Sequence, residues 1–343
     1  MGSIHKVAAR AGVSASTVSR VINGTKYVSP EVRDRVLRAI DELQFQPSMA
    51  ARNLRLQQTQ IIGVLLPSLE DYFFGRLAFV IEKALLAHNY RPLFCSTENS
   101  EHKEVDYLNM LTAQRVDGLL MVPTLATSDT VEHIMTLSAR SIPIVLLDNG
   151  IRDLEVNQVI PANWQGGYKA GRHLLDLGHR RIAIIVPGQD GQPPRSGGGY
   201  DRIAGMRQAF EDAGVSWNPA YLVEDLNYTD MGYAGTRMLV ERYPDVTAVF
   251  ALTDQIAIGV LRQMYDLGLR VPDHLSVIGY GNIPLSAHLI PRLTTIAQPI
   301  EQMGNLAVEI LLRQFRQPDT PFEIVTLDTE LIIRESTASP RIG

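Results

Sequence analysis

Cysteine is almost absent from this chain: one residue, Cys95, stands among 343, which excludes an intrachain disulfide and leaves no thiolate set for zinc. Cys95 lies in an apolar stretch and reads as a small buried hydrophobe. Long apolar runs are also missing. No stretch approaches the roughly 18 apolar residues of a membrane span, and the N-terminal residues lack the apolar segment of a signal peptide, so the chain is expected in the cytoplasm. Enzyme signatures are lacking too. There is no G-x-S-x-G elbow, no phosphate-binding loop and no H-E-x-x-H, and the eight histidines are scattered without ligand spacing. The Gly-rich stretch Ser196 to Gly199 has no strand-to-helix setting of a dinucleotide fold. No catalysis, cofactor or metal is expected.

What is present is an uneven charge distribution. Residues 1 to 58 carry nine basic and four acidic side chains; chain totals of 32 and 37 leave 23 basic and 33 acidic for the remainder. A small basic head that phosphates attract and a larger acidic body that they repel fit this polarity. The segment Ile4 to Asn23, IHKVAARAGVSASTVSRVIN, has the pattern of a helix-turn-helix. Val7, Ala8 and Ala11 form one apolar face, Gly12 and Val13 the corner, and Val18 and Val21 the next face. Two helices crossing at a wide angle need a small residue where they touch and a glycine where φ turns positive, which Ala8 and Gly12 supply. Ser14 is placed to cap the second helix, leaving Ala15, Ser16, Thr17 and Arg20 near its start and on its outer face. Ser29-Pro30-Glu31 opens a third helix with a cap, a proline and an early acid, running to about Leu43 with the stripe Val32, Val36, Leu37, Ile40 and Leu43.

After Pro47, SMAARNLRL (Ser48 to Leu56) is rich in helix formers but only about two turns long, too short to hold a helix unaided in water. Leu54 between Arg52 and Arg55 has the composition of an apolar wedge for the minor groove with basic neighbours for the phosphates. Domains are expected at 1–46 (head), 47–59 (hinge helix and linker) and 60–343 (body). Beyond Gln60 the texture alternates. Apolar strand candidates (61–66, 91–95, 118–122, 144–148, 182–186, 248–252, 276–280) are separated by amphipathic helical patterns (74–88, 104–114, 166–177, 203–213, 232–241, 256–267). That order predicts parallel sheets with helices on both faces. The pattern restarts near His179-Arg180-Arg181-Ile182, which predicts two similar lobes with a ligand between them at the carboxyl ends of their strands.

The runs VAARAGVSASTVSRVINGTKYVSPEVRDRVLRAIDEL, AARNLR, RVDGLL, LGHRRIAII, TAVFALTDQIAIGVL, GLRVPDHLSVIGYGNIPL and LTTIAQP resemble the lactose and galactose repressor family of bacterial transcription regulators over essentially the whole chain. The resemblance implies an all-α helix-turn-helix head plus an α/β, two-lobed, periplasmic-binding-protein-like body with parallel sheets. It also implies a homodimer whose heads read a pseudo-palindromic operator while the body binds a small effector. By motif matching, Ala15, Ser16 and Arg20 take base-reading positions, and Ser14, Thr17, Ser19 and Asn23 take phosphate-holding ones. Leu54, with Arg55 beside it, matches the hinge leucine that opens the operator centre. Phe73, Phe74, Asp148, Asn149, Arg202, Asp254 and Gln298 match effector-site positions, where aromatic faces stack on rings and a charged fork with carboxylates and amides fixes hydroxyls.

Three positions depart from the family. Ala162 and Gly281 stand where aspartates are common, and Asn227 where an aromatic often sits. Two lost acidic anchors leave room for a bulkier sugar, a disaccharide or glycoside, as the expected effector; a nucleobase or nucleoside is the alternative. The loop Pro187 to Tyr200, rich in Gly and Pro, reads as a surface loop or a flap over the cleft. The tail after Ile333 is too short and polar for the leucine heptads that make tetramers, so a dimer is expected. A secreted transport binding protein would carry an export signal in place of the basic head. The expected mechanism rests on the hinge: the effector changes the lobe angle, which favours or disfavours folding of the paired hinges on DNA. An effector that weakens DNA binding must itself bind the DNA-bound form less well.

Overall fold

Gly12 has φ +68°, and the head turns there. The computed structural model of this chain describes residues 4–23, 26–45, 58–124, 127–187, 197–225, 230 and 232–341. Contacts divide it between Thr59 and Gln60 into two units.

The first unit contains three helices, α1 (Ile4–Ala11), α2 (Ala15–Asn23) and α3 (Pro30–Glu42). The positive φ at Gly12 lets the Val13 amide reach back to the Ala8 carbonyl at 3.0 Å, ending α1 and freeing the chain to start α2 two residues later. Ser14 caps α2, its Oγ accepting from the Thr17 amide at 3.2 Å. Ser14→Ala is expected to destabilise α2 by about 1 kcal/mol, seen as roughly fivefold faster hydrogen exchange of its amides in the full-length protein. Val7, Ala8, Ala11, Val18, Val21, Val36 and Ala39 make the core. Two expectations fail in α3. Ser29 occupies the cap position but its hydroxyl makes no capping bond, and Leu37 is exposed because Ala39 faces the core on that turn. The helix anticipated at Ser48 to Leu56 lies outside the described residues.

The second unit holds two six-stranded sheets. In one lobe, β1 (Ile61–Leu66), β2 (Arg91–Ser96), β3 (Gly118–Met121), β4 (Ile144–Leu147), β5 (Asn157–Pro161) and β11 (Ile324–Leu327) run parallel in the order β11-β5-β4-β3-β1-β2. Alternation along β1 places its residues on two cores. Ile62, Val64 and Leu66 pack with α4 (Tyr72–Ala87) and α11 (Ile300–Arg316), and Leu65 packs with α5 (Glu101–Ala113) and α6 (Ser128–Ala139). Cys95 is buried in β2 and its thiol is pushed up to about 11 by burial, which removes its nucleophilic character at neutral pH.

The other lobe has β6 (Ile182–Pro187), β7 (Leu222–Asp225), β8 (Ala248–Ala251), β9 (Ser276–Gly281), β10 (Thr294–Ala297) and β12 (Glu330–Ile332), in the order β12-β10-β9-β8-β6-β7. Its edge strand β12 is antiparallel to β10, the one departure from the expected parallel pairing among the described strands. Helices α7 (Asn163–Asp176), α8 (Gly197–Asp212), α9 (Tyr233–Arg242) and α10 (Asp254–Asp266) cover it. The lobes are not contiguous halves. The chain leaves the first lobe after β5, well before the expected restart at His179, returns after β10 to supply α11 and β11, and crosses again to β12.

Glycine sets the spacing of α7 against α8. A Cβ at Gly167 would be driven into the Arg202 carbonyl and one at Gly205 into the Trp164 carbonyl, so the two backbones touch directly. This contact fixes Arg202 relative to the crossing at Asn163.

Candidate functional site

On the head, α2 separates a buried from an exposed face. Val18 and Val21 are buried, while Ser16 and Arg20, one turn apart, project to solvent. Ala15, Thr17 and Ser19 are half-buried, and Ala15 packs against the head core, so only part of its methyl remains outward. Ser14 Oγ lies 2.8 Å from Ser16 Oγ and 2.9 Å from Thr17 Oγ1, forming a hydroxyl cluster at the helix start where N–H groups favour an anion. Asn23 ends α2, but its side chain, like Leu54 and Arg55, lies outside the described residues.

Between the lobes of the second unit is a cavity of about 230 Å³, and Phe73, Phe74, Asp148, Asn149, Arg202, Asp254 and Gln298 all line it. Phe73 and Phe74 start α4, capped by Asp71, whose Oδ1 accepts from the Phe73 amide at 2.7 Å; their rings meet edge to face at 5.0 Å. Arg202 comes from α8 and is held on three sides. Its Nε donates to Asn163 Oδ1 (2.9 Å), its Nη1 to the Leu252 carbonyl (3.0 Å), and its guanidinium lies 3.8 Å from the Tyr280 ring centroid. Tyr280 donates its hydroxyl to the same Asn163 oxygen at 3.0 Å. One amide at the lobe crossing thus fixes both the cation and the ring beneath it.

Asn149 and Asp254 are placed in the cavity wall by bonds of their own. Asn149 Nδ2 donates to the Pro123 carbonyl at 3.1 Å and its Oδ1 accepts from the Gly198 amide at 2.9 Å, so it ties the lobes together at the N-terminus of α8. The carboxylate of Asp254 accepts from the Ile283 amide (2.9 Å), Ser286 Oγ (2.6 Å) and Thr295 Oγ1 (2.5 Å). Helix α10 is capped by Thr253, the residue before Asp254, which leaves this carboxylate to those donors. Burial raises the Asp254 carboxyl against those three donors.

Asp148 differs from them. It follows β4 with φ +58°, it is buried, and its Oδ1 has no hydrogen-bond partner. Burial pushes its carboxyl up to about 6, with Arg202 opposing and Asp71 adding to the rise. A carboxyl raised in the native state stabilises the fold fully below its unfolded value, here 3.8, and that contribution is lost as pH climbs through the native value. Its contribution to stability therefore declines from about pH 4 to about pH 6. Asp148→Asn is expected to flatten this decline and to gain on the order of 1–3 kcal/mol at pH 7, measured as urea midpoints across that range.

Two family models match the chain: the bacterial regulatory proteins of the lacI family over residues 3–48, and the periplasmic binding protein-like domain over residues 172–337. The HTH-type transcriptional repressor PurR of Aliivibrio fischeri strain MJ11 is 35% identical over 340 residues, 98% of each chain. The chain belongs to the LacI family. Like that family's members it is a sequence-specific DNA-binding regulator of transcription with a small-molecule effector. The ribose operon repressor of Haemophilus influenzae is 33% identical over 339 residues, 99% of each chain. Among solved structures, a lac repressor dimer bound to operator and the anti-inducer ONPF matches with TM-score 0.85 and 27% identity, covering 98% of this chain and 99% of that one. A complex of the transcriptional regulator CelR with cellobiose matches with TM-score 0.71 and 30% identity over 98% and 100%.

Against this LacI-family frame, the two lost aspartates separate. Gly281 lies on the cavity wall with φ +129°, whereas Ala162 is buried at the start of α7 and is not among the described residues around the cavity. Room is therefore made at one of the two positions. Asn227 and residues 188–196 lie outside the described residues, whereas Gly197 to Tyr200, expected as the end of the loop after Pro187, form the first turn of α8, so the glycine run opens a helix after β6. Sequence reasoning passed over Asp71, Asn163 and Tyr280. Asp71 directly precedes the YFF run as a helix cap, a legible signal. Tyr280 reads as strand core, and Asn163 carries no signal until the fold brings α8 beside it. Among the described residues no three His, Cys, Asp or Glu side chains gather to hold a metal, and no helix is long and apolar enough to cross a membrane.

Proposed function

We propose that this LacI-family protein is a cytoplasmic, non-enzymatic repressor that binds its operator as a homodimer and is controlled by a small carbohydrate, a disaccharide or glycoside, in the cleft between its lobes. One observation carries the effector assignment: seven residues spread from Phe73 to Gln298 line a single cavity where two sheets end. Ser16 and Arg20 read bases, with Ala15 offering its methyl, while Ser14, Thr17, Ser19 and Asn23 hold phosphates and Leu54 with Arg55 enters the minor groove. The complex of the relative CelR with cellobiose supports a sugar of two rings, and the small Gly281 supplies space on the wall. The dimeric lac repressor on its operator supports the assembly. Asn149 couples the sites: its bond to Gly198 holds the lobes together, and a ligand that competes for that amide shifts the lobe angle. A nucleobase is the second reading, favoured by the Phe73–Phe74 pair, whose faces stack on a base as well as on a sugar.

The test is fluorescence anisotropy of the full-length protein on labelled DNA from its own upstream region, against scrambled DNA, with mono- and disaccharides and nucleosides added. Specific binding shifted by a disaccharide is the expected result. A shift by nucleosides alone would establish the second reading, and binding no tighter than to scrambled DNA would defeat the proposal.

A further inference from the structure

The charges around the cavity say more about the effector than its size does. Three carboxylates line it, Asp71, Asp148 and Asp254, against one cation among the described residues, Arg202. That cation is already engaged by Asn163, by the Leu252 carbonyl and by the Tyr280 ring, and its field is shared with Asp148 and Asp71. The N-terminus of α8, the other positive element, receives a neutral amide oxygen from Asn149 on the Gly198 N–H. A phosphate group carries about two negative charges and only acceptor oxygens at neutral pH, and recognising it calls for uncommitted donors of positive charge. The wall offers the opposite: a buried carboxylate oxygen on Asp148 that lacks a donor, and a buried amide nitrogen on Gln298, Nε2, that lacks an acceptor. A hydroxyl group is both donor and acceptor, so a polyol answers both needs at once.

Resting on the carbohydrate reading above, we propose that the effector is an uncharged polyhydroxyl compound, its hydroxyls paired with Asp148 and Gln298, and that the cleft rejects phosphorylated sugars. The carboxylates act as a filter. A sugar phosphate brought against Asp148 and Asp71 meets like charge, and beside the buried Asp148 that repulsion is weakly screened.

Isothermal titration calorimetry of the full-length protein tests this with cellobiose, glucose and ribose, with glucose 6-phosphate and ribose 5-phosphate, and with hypoxanthine. A neutral sugar is expected to bind at least tenfold more tightly than its phosphate. In Asp148→Asn, which keeps shape and removes charge, that ratio is expected to shrink severalfold while thermal unfolding shows the fold intact. A phosphorylated sugar binding as tightly as its parent would overturn the filter and leave the carbohydrate reading standing. Binding of hypoxanthine with silence from every sugar would overturn the carbohydrate reading itself, and the filter with it. An unchanged ratio in Asp148→Asn would remove Asp148 from the filter.

Discussion

Gly205→Val is expected to cost the body at least about 3 kcal/mol, because the added side chain meets backbone atoms that cannot swing aside. Its Cβ would strike the Trp164 carbonyl and lie 2.8 Å from the Tyr168 amide nitrogen; at Gly167 the obstacle is the Arg202 carbonyl and, at 2.8 Å, its Cα. Relief requires α8 to move off α7. That movement stretches the 2.9 Å bond from Arg202 to Asn163 and takes the guanidinium off Tyr280, so effector binding falls along with stability. Thermal unfolding and effector titration together check this. Gly75→Ala is the control: it lies inside α4 with its nearest atom at 3.4 Å, and alanine is the better helix former, so it is expected to change stability by less than about 1 kcal/mol. An unaltered unfolding midpoint in Gly205→Val would mean that the close approach of the two helices is not as described.

Arg20→Ala is expected to weaken specific DNA binding ten- to a hundredfold. A bidentate arginine–guanine contact is worth about 1–3 kcal/mol of discrimination, and tenfold in affinity corresponds to about 1.4. Arg20 projects from α2 on the side opposite the buried Val18 and Val21, one turn beyond Ser16, where its fork can reach a base edge without disturbing the head core. Arg20→Lys separates charge from geometry. Lysine keeps the attraction to phosphates but lacks the planar fork, so binding to scrambled DNA is expected to persist while preference for the operator declines. Anisotropy titrations on both DNAs, at two salt concentrations, read the two effects apart. If Arg20→Ala discriminated as well as the native protein, base reading would have to be assigned elsewhere on the head.

Much of this architecture was legible in the sequence where local pattern and burial agree. The glycine corner at Gly12, the cap at Ser14 and the Val-, Ile- and Leu-rich strands β1, β3, β4, β6, β8 and β9 announce themselves because each meets its demand within a few residues. The strands that stayed hidden meet theirs at long range. β5 reads NQVIP, too polar for a buried strand, until Asn157 is seen bonded to Gln314 and the Glu323 amide, and Gln158 to both backbone groups of Ile151. The short strands β7, β10, β11 and β12 depend on neighbours far along the chain, and α6 is too polar to stand out. The boundary between lobes was misplaced for the same reason, since a restart in pattern says nothing about α11 and β11 returning to the first lobe. For the effector site, family motifs led to residues that converge on one cavity. They could not say that Asn149 and Asp254 are bonded within the protein, nor that Asp148 alone of these three keeps an oxygen unpaired.

The return of the chain to its first lobe also sets a timetable for synthesis. The head needs nothing beyond its third helix and can close while most of the body is still untranslated. The first lobe, in contrast, has its sheet through β5 by residue 161, yet α11 and β11 arrive only with residues 300–327. At roughly 5–20 residues per second, the apolar face destined for α11 waits on the order of 10–30 s on the ribosome. Leu120, Val145 and Val159, on the strands β3, β4 and β5 that α11 comes to cover, lack that cover throughout the interval. A nascent chain of this kind can display a finished DNA-reading surface before it possesses any means of sensing its ligand.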